Sequence, residues 1–178
     1  MDWMEDVRAR LKRKNQILFS PKDAFLQDLG ALIGEQNHRT MVLWAFDWAE
    51  EAVKRLEEKY PHDSSARSAL EASKLWAAGK VKMPVAKREI LNCHAFAKQL
   101  TSPEYIALCH AVGQACGVVH ATGHAMGFPV YDLTAMVHRF GLEDCKGLIE
   151  LRKQAYMGKI LYWKQPEPTY AGEWAGLA

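Results

Sequence analysis

The chain has 178 residues, 49% of them apolar and 25% charged, with a formal net charge of +2. That length allows one domain with an ample core, and the near-balance of charge excludes an overall field that would draw nucleic acid or an anionic membrane surface. The four cysteines, at 93, 109, 116 and 145, include no Cys-x-x-Cys pair, which fits reduced, buried thiols in a cytoplasmic protein.

Met1-Asp2-Trp3-Met4-Glu5 is acidic where a secretory leader needs a basic start and an apolar run, so no leader is expected. Residues 2 to 18 are expected to form a helix, with acids first and Arg8 to Lys14 later, an order that complements the helix dipole. Its basic run is a candidate nucleic-acid patch, but the acids upstream cancel much of its field, and a solvated face is the better reading. Ser20-Pro21-Lys22-Asp23 is expected to start a second helix, with Phe25, Leu26, Leu29, Leu32 and Ile33 on its apolar face.

A third helix is expected from His38 to Tyr60, stopped by Pro61. Met41, Trp44, Trp48, Val53 and Leu56 give it a buried stripe, and Glu50 with Lys54 and Glu51 with Arg55 are spaced for i,i+4 ion pairs. A fourth spans about 65–78, with Ala69, Leu70, Leu75 and Trp76 inward, and ends at Gly79. A fifth spans about 85–100, with Ile90, Leu91, His94, Phe96 and Ala97 inward.

From Tyr105 to Tyr131 there is no Asp, Glu, Lys or Arg. Ser102-Pro103-Glu104 has the N-cap hydroxyl, first-turn proline and acid of a helix start, and Gly127 with Pro129 has the marks of a stop. A long helix over 103–126 is therefore expected, enclosed by its neighbours because it has no charged face to offer water. A membrane span is long enough to be the rival, but three histidines, Gln114 and several glycines make the segment only weakly apolar. The pattern resumes to Phe140, a last helix spans about 142–163, and Gln165-Pro166-Glu167-Pro168 breaks it. The fold class is an all-α, single-domain bundle of seven or eight helices over 1–164, with a Pro-containing tail at 165–178 that carries Tyr170 and Trp174.

His120 and His124, four apart on a helix, would share a face with His110 inside an arc of about 80° that also holds Gly113 and Gly117. His-x-x-x-His can hold zinc, and His110, Cys116, His94 or Asp132 could complete a set. The metalloprotease pattern needs a glutamate directly after the first histidine, and Ala121 stands there. Neutral core histidines are the better reading; no metal, cofactor or catalytic set is expected. Cys93-His94 and Cys109-His110 are adjacent pairs, but neighbours on a helix point about 100° apart, so neither is a preformed nucleophile and base.

Four segments carry a family resemblance: LWAFDWAEEAV at 43–53, YPHDSSARSALEASKLWAAGK at 60–80, CHAFAKQL at 93–100 and AVGQACGVVHATGHAMGFPVYDLTA at 111–135. Together, over about 35–140, they resemble the immunity-protein-five-like family, putative immunity proteins of bacterial polymorphic toxin systems. The His120, His124 and Tyr131 pattern is the most specific part; Met126, Phe128 and Pro129 are bulkier than the family's residues there. The resemblance implies a binding role and supplies no site residue.

Two functions follow. One is a non-enzymatic cytoplasmic protein that neutralises a cognate toxin, with the acidic end of the third helix (Glu50, Glu51, Glu57, Glu58) or the basic first helix as candidate surfaces. The other is a metal-binding or metal-dependent enzyme using His120 and His124 with a third ligand such as His110. No nucleic acid or membrane partner is expected, and a homodimer is left open.

Overall fold

The computed structural model describes residues 2–165 and Trp174. Among them are eight α-helices and no strand: α1 (Trp3–Lys12), α2 (Gln27–Gly34), α3 (His38–Lys59), α4 (Ser65–Ala77), α5 (Met83–Ala97), α6 (Pro103–Gly117), α7 (Gly127–Phe140) and α8 (Lys146–Trp163). Short 3-10 turns at Ala24–Leu26 and Thr122–His124 precede α2 and α7. The all-α bundle expected from the sequence is what forms.

α6 packs against α3, α4, α5 and α7, so it is the central helix. It is shorter than the expected 103–126. The helix ends at Gly117, where the amides of Val118, Val119 and His120 tighten to i→i−3 bonds onto Ala115, Cys116 and Gly117. Two β-branched valines after a glycine weaken any continuation. Gly127 and Pro129 do not stop a helix; they lie in the first turn of α7, where a missing N–H is harmless. Ser102 makes no side-chain cap, and Pro103 at the first position of α6 supplies the start.

Other boundaries moved for local reasons. α1 ends at Lys12, and Lys14 follows with φ of 57°, a left-handed turn. Ser20-Pro21 does not open α2. Asp23 instead accepts the Ser20 amide at 2.8 Å and grips the Arg10 guanidinium, which also reaches the Leu18 carbonyl. Asn37 caps α3 by accepting the Thr40 amide at 2.8 Å. Leu75 and Leu91, expected to face inward, are exposed. Of the expected tail, residues 166–173 and 175–178 lie outside the described residues; Trp174 lies under the Arg39 guanidinium at 5.4 Å.

The core beneath α8 is aromatic. Trp44, Trp48, Phe128 and Tyr156 meet at centroid distances of 5.0 to 6.5 Å, mostly edge to face, and Trp44 Nε1 donates to the Tyr156 carbonyl at 3.0 Å. Beside it lies Asp132, fully buried. Its Oδ2 accepts from Arg152 Nε at 2.7 Å and from the Tyr156 hydroxyl. The Arg55 guanidinium stands 3.9 Å from Oδ1 and donates to Glu104 at 2.7 Å. Arg152 also bonds Glu51 at 2.7 Å and lies over the Trp48 ring at 4.3 Å. Burial opposes the charge on Arg152, but Asp132, Tyr156 and Glu51 outweigh it and raise its pKa; burial and Asp132 likewise push the Tyr156 phenol well up. The expected i,i+4 pairs are replaced by longer-range ones, with Glu50 on Arg67 and Lys74, and Glu51 on Arg152.

Asp132→Ala leaves the Arg152 guanidinium with only the exposed Glu51 and is expected to lower stability by about 3 kcal/mol, whereas Tyr156→Phe, which leaves the ion pair in place, costs about 1 kcal/mol. Guanidinium unfolding midpoints at unchanged slope measure both.

Candidate functional site

On α6, Gly113 and Gly117 lie one turn apart and bare the backbone. A Cβ on Gly113 would collide with the His94 ring from α5, and one on Gly117 would come within 3.0 Å of the His124 ring. The glycine spacing thus admits two imidazoles against the helix. His124 Nδ1 donates to the Gln114 amide oxygen at 3.1 Å, and a Cβ on Gly127 would strike that same amide. His38 Nε2 donates to the Val118 carbonyl at 2.6 Å and fixes the turn that follows α6.

The three histidines of the sequence reading do not share a face. His110 pairs with His94, the two Nδ1 atoms 2.8 Å apart, one donating and one accepting. His124 lies on Gly117. His120 is exposed and stacks on Trp76 at 6.3 Å. The break at Gly117 removes the helical relation on which the shared arc depended. Among the described residues, no three His, Cys, Asp or Glu side chains come together as a metal set. Asp132, one proposed fourth ligand, is held by Arg152 and Tyr156.

The His94–His110 pair was missed from sequence, although a signal was there: Cys93-His94 and Cys109-His110 are one dipeptide used twice on adjacent helices. Cys93 Sγ donates to the Cys109 carbonyl at 3.5 Å beside the histidine pair. A side-chain hydrogen bond with Cys109, with burial, raises the Cys93 thiol pKa, and burial pushes Cys116 up to about 12. Both are thiols near neutral pH and lack the thiolate a nucleophile needs. Burial lowers the pKa of His94, His110 and His138, with His110 and Lys98 adding to the effect at His94.

Outside this packed layer is a cleft of about 280 Å³. Trp76 from α4 and Met83, Ile90 and Leu91 from α5 form its apolar walls; His94, Gln114, His120, His124 and Lys87 supply its polar atoms. Among the described residues, no Asp or Glu lines it. Met83 and Leu91 are 40% and 55% exposed at its rim. The sequence-based candidate surfaces are more occupied. Arg67 takes both Glu50 and Glu57, Arg152 takes Glu51, and on α1 Arg8 and Arg10 hold Glu143 and Asp23. No helix among the described residues is long and apolar enough to cross a membrane.

A family model described as Imm-5 like putative immunity protein matches residues 31–159. No curated protein and no solved structure matches the chain.

Gly113→Ala drives a methyl into the His94 ring and is expected to cost about 1–3 kcal/mol, read from the thermal midpoint. Stability also depends on pH with a defined sign. The unfolded chain binds protons at its histidines near pH 6.5, while the folded chain resists protonation at His94, His110 and His138. Stability is therefore level above about pH 6.5 and falls as the pH drops through that value, flattening below the folded pKa values. Urea midpoints from neutral to mildly acidic pH test this, and His94→Gln should flatten the decline.

Proposed function

The chain belongs to the Imm-5 like putative immunity protein family, whose model spans most of it, and on that premise we propose that it is a non-enzymatic protein that neutralises a cognate bacterial toxin by binding it in the cytoplasm of the producing cell. The family match is the observation that carries this reading. The geometry supports it in two ways. His110 of the charge-poor segment pairs with His94, His124 bonds Gln114, and the Cys93 thiol bonds the Cys109 carbonyl, contacts that support an architectural role. Beside them, the α4–α5–α6 cleft combines exposed Met83 and Leu91 with Trp76, imidazoles and Lys87, the mixture of apolar anchors and polar rim that protein interfaces use.

Among the described residues the cleft has Lys87 and polar groups but no acid, so an acidic toxin segment with an apolar side chain is the matching partner. The test is co-expression with the toxin encoded beside it. The wild type is expected to restore growth and to co-purify with the toxin. Leu91→Asp combined with Lys87→Glu should retain the wild-type melting temperature and weaken binding at least about tenfold, roughly 1.4 kcal/mol. A wild type that neither rescues growth nor binds would refute the function. Rescue unaffected by the double variant would move the interface away from the cleft.

A further inference from the structure

The imidazoles that line the α4–α5–α6 cleft differ in what they offer a partner. His94 has Nδ1 on His110 at 2.8 Å and Nε2 packed against Gly113, so both nitrogens are engaged with α6. His120 lies with its face on Trp76. His124 is the exception. Its Nδ1–H is donated to Gln114 at 3.1 Å, and Cγ, Cδ2 and Nδ1 are the ring atoms closest to Gly117. Cε1 and Nε2 therefore form the edge turned away from α6, in a ring that lines the cleft. With its proton on Nδ1, a neutral imidazole carries a lone pair at Nε2. No hydrogen bond among the described residues uses that atom. The cleft thus combines an acceptor from His124 and a cationic donor from Lys87 with the apolar side chains of Trp76, Met83, Ile90 and Leu91.

We propose that this cleft receives a tyrosine side chain of the toxin, whose hydroxyl donates to His124 Nε2 and whose ring packs on Trp76. The inference rests on the cleft being the toxin site and names the group that enters it. A hydroxyl both gives and takes hydrogen bonds, so it can donate to Nε2 and accept from the Lys87 ammonium. Other groups satisfy only part of that inventory. A carboxylate has no proton to donate and would set its lone pairs against that of Nε2. An indole N–H could donate to Nε2 but could not accept from Lys87. A phenylalanine ring would displace water from both polar groups and give nothing in return.

Size agrees with this assignment. A cavity of roughly 150 Å³ holds a benzene molecule, and the cleft, at about 280 Å³, has room for a phenol and its methylene. Met83 adds a flexible thioether of the kind that packs on aromatic rings. The acidic residues of the same toxin segment then lie outside the cleft, where the remaining Lys87 donors meet them. Gln114 is a positioning residue: its amide oxygen holds the proton on Nδ1 and so keeps Nε2 an acceptor.

The test uses the full chain and p-cresol, which is the tyrosine side chain as a free molecule. Proton–nitrogen correlation spectra follow binding through the Trp76 indole. p-Cresol should bind at least about tenfold tighter than toluene, and p-methylanisole, which keeps the oxygen but has no proton to donate, should bind no better than toluene. His124→Phe should erase the preference for p-cresol and still bind toluene. Long-range proton–nitrogen spectra of the wild type, which need no variant, should show the neutral His124 ring protonated on Nδ1. Equal binding of p-cresol and toluene, or a His124 ring protonated on Nε2, overturns the proposal. p-Cresol that binds as expected beside a toxin that does not bind at all refutes the function and leaves the tyrosine pocket standing. A toxin that binds, is not displaced by p-cresol and loses no affinity when its tyrosines are changed to phenylalanine overturns the proposal and leaves the function standing.

Discussion

A carboxylate removed from water has to find its counter-charge inside the protein, and Asp132 imposes that demand on this bundle. An ionised group buried alone carries a penalty of several kcal/mol, which only close, well-oriented partners offset. Asp132 on α7 takes Arg152 and Tyr156 from α8 and lies near Arg55 from α3; Arg55 in turn holds Glu104 in the first turn of α6. Four helices are tied through one anion. Aromatic packing around Trp44 and Phe128 would tolerate small sliding movements of α8. The directional bonds from Arg152 and Tyr156 to Asp132 fix its register, while Arg55, 3.9 Å from Asp132, bonds Glu104 at the start of α6.

The position of α6 determines what the other end of the bundle can present. Gly113 and Gly117 are laid against α5 and the 122–124 turn, and imidazoles fill the space that side chains would have taken. The resulting layer is hydrogen-bonded beneath the cleft. The residues most characteristic of the family resemblance, His120 and His124, fall at this cleft, one stacked on Trp76 and one donating to Gln114. Their role in the geometry is to shape a wall and hold a turn.

Helix identity was legible where periodicity and punctuation agreed. α3 runs from His38 to Lys59 and α4 from Ser65 to Ala77, close to expectation, because Pro61, Ser65 and Gly79 bracket strong apolar stripes. The central segment was misjudged because absence of charge fits one buried helix and also fits a helix, a turn and a second helix in the same apolar surroundings. Pro129 was ambiguous for a related reason, since a proline that stops one helix is equally at home in the first turn of the next. Leu75 and Leu91 could not be placed, because sequence shows that a residue is apolar and not whether a neighbouring helix covers it. The ion pairs went wrong in a consistent direction. Glu50 and Glu51 had partners one turn away, but arginines on other helices, with side chains only 29% and 15% exposed, reach them instead. The His94–His110 contact depended on helix register, which no single segment encodes.

The order of the chain gives the Asp132 cluster a temporal side. Arg152 and Tyr156 lie in the last helix, so on the ribosome they emerge after everything they neutralise. Until then the nascent bundle holds a carboxylate that must stay wet, and the aromatic layer around Trp48 lacks its lid. Completion of the interior thereby waits until α8 has been made, and a product truncated before α8 would be exposed to proteases in place of persisting as a half-built decoy.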